Sequence, residues 1–223
     1  MLAAPQPDWP AHAHATGFPI FSHNNGNAPE LDKFLDSGEP PIVFTLGSAA
    51  VGAAGDFYEQ SAEAASRLGR RALLMVGRDP HNQPKHPLPP GVMAVQYAPH
   101  SAVFPLACVV VHQGEIGTTG EAMRAGRPTL VVHYGHDQPD NAARLVRMGM
   151  ARSIPRERYN ANLAVREIQN LLENRTYAER AAAIGARVRN ENGTARACDL
   201  LGRLLEAPNA KVITPQPIGQ VVA

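Results

Sequence analysis

Residues 108–141 read CVVVHQGEIGTTGEAMRAGRPTLVVHYGHDQPDN. An apolar run ends at His112, the chain turns through Gly114 and Gly117 into a helical pattern that closes near Ala125, and a second apolar run follows at residues 128–132. Strand, helix and strand in so short a span predict two parallel strands joined by a crossover helix. Polar residues gather where the strands end, His112 after the first and residues 133–138 after the second. Ligands of open parallel sheets bind in the crevice beyond the carboxyl ends of the strands. These residues are therefore expected on one rim.

The same alternation extends outward. Residues 41–46 are continuously apolar or β-branched and end at Gly47-Ser48, the pattern of a strand buried on both faces. A helix is expected over about 56–68, a strand over 72–76, a Pro-rich loop over 79–90 and a short strand over 92–96. Residues 101–106, 109–111, 119–125 and 129–132 continue the alternation, and a helix follows at 138–148. The fold class is α/β, a doubly wound, Rossmann-like parallel sheet. Beyond residue 151 the pattern reads as helical to about 206, with Asn192-Gly193-Thr194 dividing the last two helices. Residues 1–38, rich in Pro, His, Asn and Gly with one helical candidate at 30–35, read as a connector, and residues 39–206 as the ligand-binding domain. Residues 207–223, with Pro208, Pro215 and Pro217, read as a flexible tail.

Composition narrows the partners. The chain has 223 residues, 44% of them apolar and 18% charged, with a net charge of +1 and no basic block. Nucleic acid is a poor partner for such a surface, since phosphate neutralisation needs clustered Lys and Arg. A small ligand fits better. Cys108 and Cys198 lie far apart, and Cys108 sits in an apolar strand, which predicts a reducing compartment and no disulfide. No apolar run approaches the ~20 residues of a membrane span, and Pro5, Pro7 and Pro10 interrupt any signal core, so a cytoplasmic protein is expected. Arg175, Arg180, Arg187, Arg189, Arg196 and Arg203 could form a peripheral membrane contact, but Glu173, Glu179, Glu191 and Asp199 interleave with them. A solvated face of mixed charge is the plainer reading.

Gly47-Ser48 offers backbone N–H groups and a hydroxyl to an anion, or is simply a tight turn. His112 ends a buried strand just before a helix expected to begin at Thr118 and Thr119, and Gly117 frees the turn between them. The positive end of that helix, two hydroxyls and an imidazole could surround a diphosphate. Thr118 could equally be a helix cap. Glu121 is placed to accept hydrogen bonds from ribose hydroxyls, or is favoured there by the helix dipole alone. Asp137-Gln138 supplies the acceptors and donors that sugar hydroxyls need, or Asp137 is an N-cap. Tyr97 presents a flat face to a nucleobase, with the Ala98 backbone at the base edge, or is a core aromatic. No G-x-G-x-x-G follows the first strand, which weakens a dinucleotide-dependent oxidoreductase.

Tyr97-Ala98-Pro99-His100, residues 112–121 and the run GHDQPDN at 135–141 together resemble the donor signature of the UDP-dependent glycosyltransferases of the two-lobed GT-B type. The likeness is greatest to bacterial members related to rhamnosyl and sterol or macrolide glucosyl transferases, and it covers about residues 17–205. It implies the C-terminal lobe of a GT-B fold that binds a UDP-sugar or TDP-sugar as donor substrate, with no metal and no further cofactor. Tyr97 would meet the base, Glu121 the ribose, Ser48, His112, Thr118 and Thr119 the diphosphate, and Asp137 and Gln138 the sugar. It further implies an inverting displacement on a hydroxyl acceptor, with no catalytic residue in this chain. The base would come from an N-terminal acceptor lobe or a partner subunit, and residues 17–19 and 31–38 resemble the connector between lobes. Relatives commonly carry Gly at position 115 and Pro at 133, where this chain has Glu115 and His133. Two alternatives remain: a non-catalytic nucleotide-sugar-binding module that docks to a partner, and an epimerase of the same architecture. The face turned toward the other lobe could also drive self-association.

Overall fold

The computed structural model describes Leu2, residues 5–20 and residues 28–206, so the expected tail at 207–223 lies outside the described residues. Strands β1 (Ile42–Thr45), β2 (Ala72–Met75), β3 (Val92–Val95), β4 (Val109–His112), β5 (Thr129–His133) and β6 (Ala151–Pro155) form one sheet in the order β3-β2-β1-β4-β5-β6. Every pairing is parallel. The chain thus winds outward from β1 in one direction, then from β4 in the other. The strand order reverses between β1 and β4, which is where the crevice of such a sheet opens.

Strand residues alternate between two packed faces. Ile42, Phe44, Val109, Val111, Leu130 and Val132 point to one face, where α3 (Phe57–Arg67) and α7 (Ala161–Glu173) cover them. Val43, Leu73 and Val110 point to the other, against α1 (Pro29–Asp36) and α4 (His100–Val103). Val131 joins α5 (Ile116–Ala125), α6 (Gln138–Arg147) and α8 (Arg175–Arg189) there, through Met123, Leu145 and Ile184. Both faces are dry, so these strands read as unbroken apolar runs rather than alternating ones. Side-chain caps set several helix starts: Asn160 accepts the Leu163 N–H at 3.0 Å before α7, and Asn174 accepts the Thr176 N–H at 3.1 Å before α8. Helix α5 ends at Gly126 in the left-handed conformation (φ 68°). The remaining helices are the four-residue α2 (Gly47–Ala50) and the last, α9 (Gly193–Glu206).

Two expectations fail. Residues 151–155 are strand β6, not the start of the helical region. It is an edge strand buried only in part, and its Arg152-Ser153 pair hides the signal; the Arg152 guanidinium is drawn to the buried Glu167 carboxylate and to the Tyr177 hydroxyl at 3.1 Å. Helix α5 begins at Ile116, three residues before the expected Thr119. Gly114 (φ 95°) makes the turn, while Gly117 is an ordinary helical residue. The connector region is not a free linker over its described part: Leu31 and Leu35 enter the core, and Phe18 and Ile20 pack on the α5–α6–α8 cluster.

Candidate functional site

A cleft of about 680 Å³ opens at the carboxyl ends of β1, β2, β3 and β4. Its size suits a small-molecule ligand, for which pockets run roughly 300–1,000 Å³. Of the residues singled out in the sequence, Ser48, Tyr97, Gly117, Thr118 and Glu121 line it, and His100 and Glu115 line it with them. Phe18, Pro19, Ile20, Arg78 and Gly120 are also part of the wall, without having been singled out as ligand contacts. Short-range patterning carries no signal for these five, because they come together only when the chain before β1, the β2 end and α5 meet.

Tyr97 stands 70% exposed, so it is a free aromatic face rather than a core residue. Ala98 is buried beside it at 1%. Gly47 (φ 60°) turns the chain out of β1 into α2, and a Cβ there would overlap the Gln113 amide nitrogen and lie 3.1 Å from Thr118 Oγ1. Only glycine lets the β1 and β4 turns approach this closely. On the same cleft wall, the Phe18 ring lies on Gly120 of α5, and the backbone of Gly17 and Phe18 rests on Gly193 at the start of α9.

The first turn of α5 faces the cleft. The backbone N–H groups of Ile116, Gly117 and Thr118 have no acceptor within the helix, and the helix dipole adds positive potential there. Thr118 is therefore not a cap: the N-cap position belongs to Glu115, whose side chain makes no capping bond. Glu115 Oε2 instead accepts from Gln113 Nε2 at 3.0 Å, and the same amide reaches Thr118 Oγ1 at 3.4 Å. Glu121 lies on the second turn, and burial raises its carboxyl pKa while Arg124 partly offsets the rise.

His112 is fully buried and Thr119 is 0% exposed, so neither lines the open cleft. The Gly114 N–H donates to His112 Nδ1 at 3.0 Å, which puts the ring proton on Nε2. Burial, with a smaller push from His100, lowers the His112 pKa to about 3, so the ring is neutral. Burial likewise lowers His100 to about 4, where it stacks on Phe104 at 4.5 Å. His112 Nε2 and Thr119 Oγ1 are buried with no partner among the described residues. Such groups are rare in folded proteins and mark places where a ligand or water completes the structure.

Asp137 and Gln138 stand apart from the cleft wall, at the start of α6. Asp137 does not cap that helix; its Oδ2 accepts from Asn141 Nδ2 at 2.8 Å, and Asn141 also donates to the Gly114 carbonyl at 2.9 Å. Gln138 Oε1 accepts the N–H groups of Tyr134 (2.8 Å) and Gly135 (3.3 Å). Its carbonyl oxygen is thus committed to its own loop, and only its amide N–H pair is left to offer a ligand. Of the acceptors and donors expected from the Asp137-Gln138 pair, the donors are left to the Gln138 amide and the acceptors to the Asp137 carboxylate.

Residues 72–198 match the family model described as erythromycin biosynthesis protein CIII-like, C-terminal domain. The chain is 38% identical over 200 residues to the O-mycaminosyltylonolide 6-deoxyallosyltransferase of Streptomyces fradiae, covering 88% of this chain and 46% of that protein. It is 36% identical over 123 residues to an uncharacterized glycosyltransferase of Mycobacterium tuberculosis, covering 55% of this chain and 29% of that one. Among solved structures, the glycotransferase of kitacinnamycin superposes with a TM-score of 0.69 at 28% identity, covering 84% of this chain and 47% of that chain. The glycosyltransferase VinC, solved with dTDP, shares the fold with a TM-score of 0.65 at 20% identity, covering 76% of this chain and 43% of that chain. The chain therefore spans less than half the length of these proteins. With its sheet order, its cleft and the matched residues, the chain belongs to the family of erythromycin biosynthesis protein CIII-like C-terminal domains, the C-terminal lobe of GT-B glycosyltransferases.

Proposed function

We propose that this chain binds the nucleoside diphosphate of a UDP-sugar or TDP-sugar in the cleft and forms the donor half of an inverting hexosyltransferase acting on a hydroxyl acceptor. The observation that carries the reading is the first turn of α5, whose unpaired N–H groups face the cleft between an exposed aromatic, Tyr97, and a ribose-height carboxylate, Glu121. The base stacks on Tyr97 beside the Ala98 backbone, and Glu121 accepts from the ribose hydroxyls. The diphosphate takes the helix N–H groups with Ser48 and Thr118, and the unpaired Nε2–H of His112 is donated to it from the end of β4. A neutral imidazole donates a hydrogen bond here without needing a proton from solvent. As the anomeric bond breaks, negative charge grows on the leaving diphosphate, and donors fixed in place before the reaction stabilise it more in the transition state than in the ground state. Asp137 and the Gln138 amide hold the sugar at the far side of the Gly114 turn.

The general base and acceptor pocket belong to a second lobe, before this one in a longer chain or on a partner subunit. Residues 1–38 act as the connector, and the exposed Leu201, Leu204 and Leu205 of α9 form part of the surface that meets that lobe. The Streptomyces fradiae relative is named for O-mycaminosyltylonolide as its acceptor, which favours an acceptor of that kind here.

The test is the shift in melting temperature with UDP, TDP, NAD and several UDP-sugars for the native chain, His112→Ala and Glu121→Ala. Ligand at ~100 times its dissociation constant adds about 2.7 kcal/mol of stability. A shift with UDP or TDP, absent with NAD and reduced in both variants, supports the donor site. A shift with NAD alone would defeat it.

A further inference from the structure

We propose that Gln113 is a positioning residue that holds the Glu115 carboxylate away from the first turn of α5 and so keeps that turn open to the diphosphate; the proposal rests on the reading of α5 as the diphosphate anchor. A carboxylate at the N-cap position is a natural acceptor for the free N–H groups of its own helix. Left alone, Glu115 would occupy the anion site from within and compete with any ligand for it. It does not do so: its side chain makes no capping bond, and its Oε2 lies 3.0 Å from Gln113 Nε2.

The Gln113 side chain is fixed for this task. It is 0% exposed, and its amide is wedged against Gly47, where even a Cβ would overlap it. Its orientation follows from the contact, since turning the amide over would set two oxygens against each other. The cost of the arrangement is visible, because Gln113 Oε1 is buried with no partner among the described residues. An apolar side chain of similar size would fill the same space without an unpaired oxygen. A buried glutamine is better explained by what its nitrogen holds than by packing. The same nitrogen touches Thr118 Oγ1 at 3.4 Å, so one amide sets the carboxylate and a cleft hydroxyl together.

The experiment uses this chain with inorganic pyrophosphate as probe, alongside UDP and TDP. Affinities are measured by calorimetry for the native chain, Gln113→Met, Glu115→Ala and the double variant, and the backbone amide resonances of Ile116, Gly117 and Thr118 are followed through a pH titration. Gln113→Met should weaken pyrophosphate binding roughly fivefold to tenfold, the equivalent of one helix cap. In that variant a first-turn amide should begin to titrate with the Glu115 carboxylate. Adding Glu115→Ala should restore the affinity. A loss that Glu115→Ala does not restore, or first-turn amides indifferent to Gln113, would overturn the proposal. Should Gln113→Met not fold, Glu115→Asp serves instead: the shorter carboxylate falls away from Gln113 and toward the cap, so it should bind pyrophosphate more weakly than Glu115→Ala. Equal affinities for those two would also overturn it. Pyrophosphate bound without UDP or TDP would sink the donor reading while leaving the Gln113 cycle to be read. No pyrophosphate bound by any variant would overturn both.

Discussion

Gly120→Ala sets two known effects against each other. In mid-helix, Ala is favoured over Gly by about 0.8–1 kcal/mol. A Cβ at Gly120, however, would lie 2.7, 3.0 and 3.2 Å from three carbons of the Phe18 ring. The ring must leave its place against the Met123–Val131 cluster. Phe18 is only half-buried, so displacing it forfeits about 0.75–1.5 kcal/mol, half of what full burial of such a side chain contributes. The two effects nearly cancel, and Gly120→Ala should change stability by no more than about 0.7 kcal/mol. In a Phe18→Ala background the clash is gone, and the same substitution should stabilise by its full ~1 kcal/mol. Urea denaturation of the four proteins gives this coupling directly. If Gly120→Ala stabilises by about 1 kcal/mol in both backgrounds, Phe18 does not rest on α5, and the cleft lacks the wall described for it.

Three other outcomes follow from the geometry. Gly185→Ala would bring a Cβ to 2.6 Å from Gly126 Cα, a backbone atom that cannot swing aside, so thermal melts should show a loss of about 1–3 kcal/mol while the nucleotide affinity of the folded fraction is unchanged. His112 is neutral when folded and its pKa is lowered to about 3, whereas the unfolded ring takes up a proton near 6.5. The unfolded state then binds the extra proton, so stability is complete above pH 6.5 and falls as the pH drops toward about 3. By pH 5 the loss is about 2 kcal/mol, and denaturation at pH 7 and pH 5 should show a slope shallower by about one proton in His112→Asn. Tyr97→Ala should weaken UDP binding by about 1–3 kcal/mol, the worth of one base–aromatic stack, and calorimetry with UDP and pyrophosphate should show the loss for UDP only.

The fold was legible where burial is two-sided. Residues 41–46, 108–111 and 128–132 are apolar or β-branched without interruption because both faces of β1, β4 and β5 are covered. The edge strand β6 was not, since its second residue, Arg152, serves an ion pair with Glu167 rather than the sheet interior. The start of α5 was misplaced because a glycine reads as a turn wherever it stands, and only backbone angles separate Gly114 from Gly117. At the site, local order revealed Tyr97, Thr118 and Glu121, all on a strand end or one helix face. Phe18 and Arg78 were beyond reach, being brought to the cleft by tertiary contact. Gln113 was overlooked beside His112, because its task is set by Gly47 and Glu115, one of them 66 residues earlier in sequence.

The central claim is that the first turn of α5 anchors the diphosphate of a nucleotide. A crystal structure of the chain grown with UDP or TDP tests it most directly. The account predicts phosphate oxygens within about 3 Å of the backbone nitrogens of the α5 first turn, with the base on Tyr97 and the ribose at Glu121. Nucleotide bound elsewhere, or phosphates turned away from α5 with Glu115 folded onto its N–H groups, would contradict it.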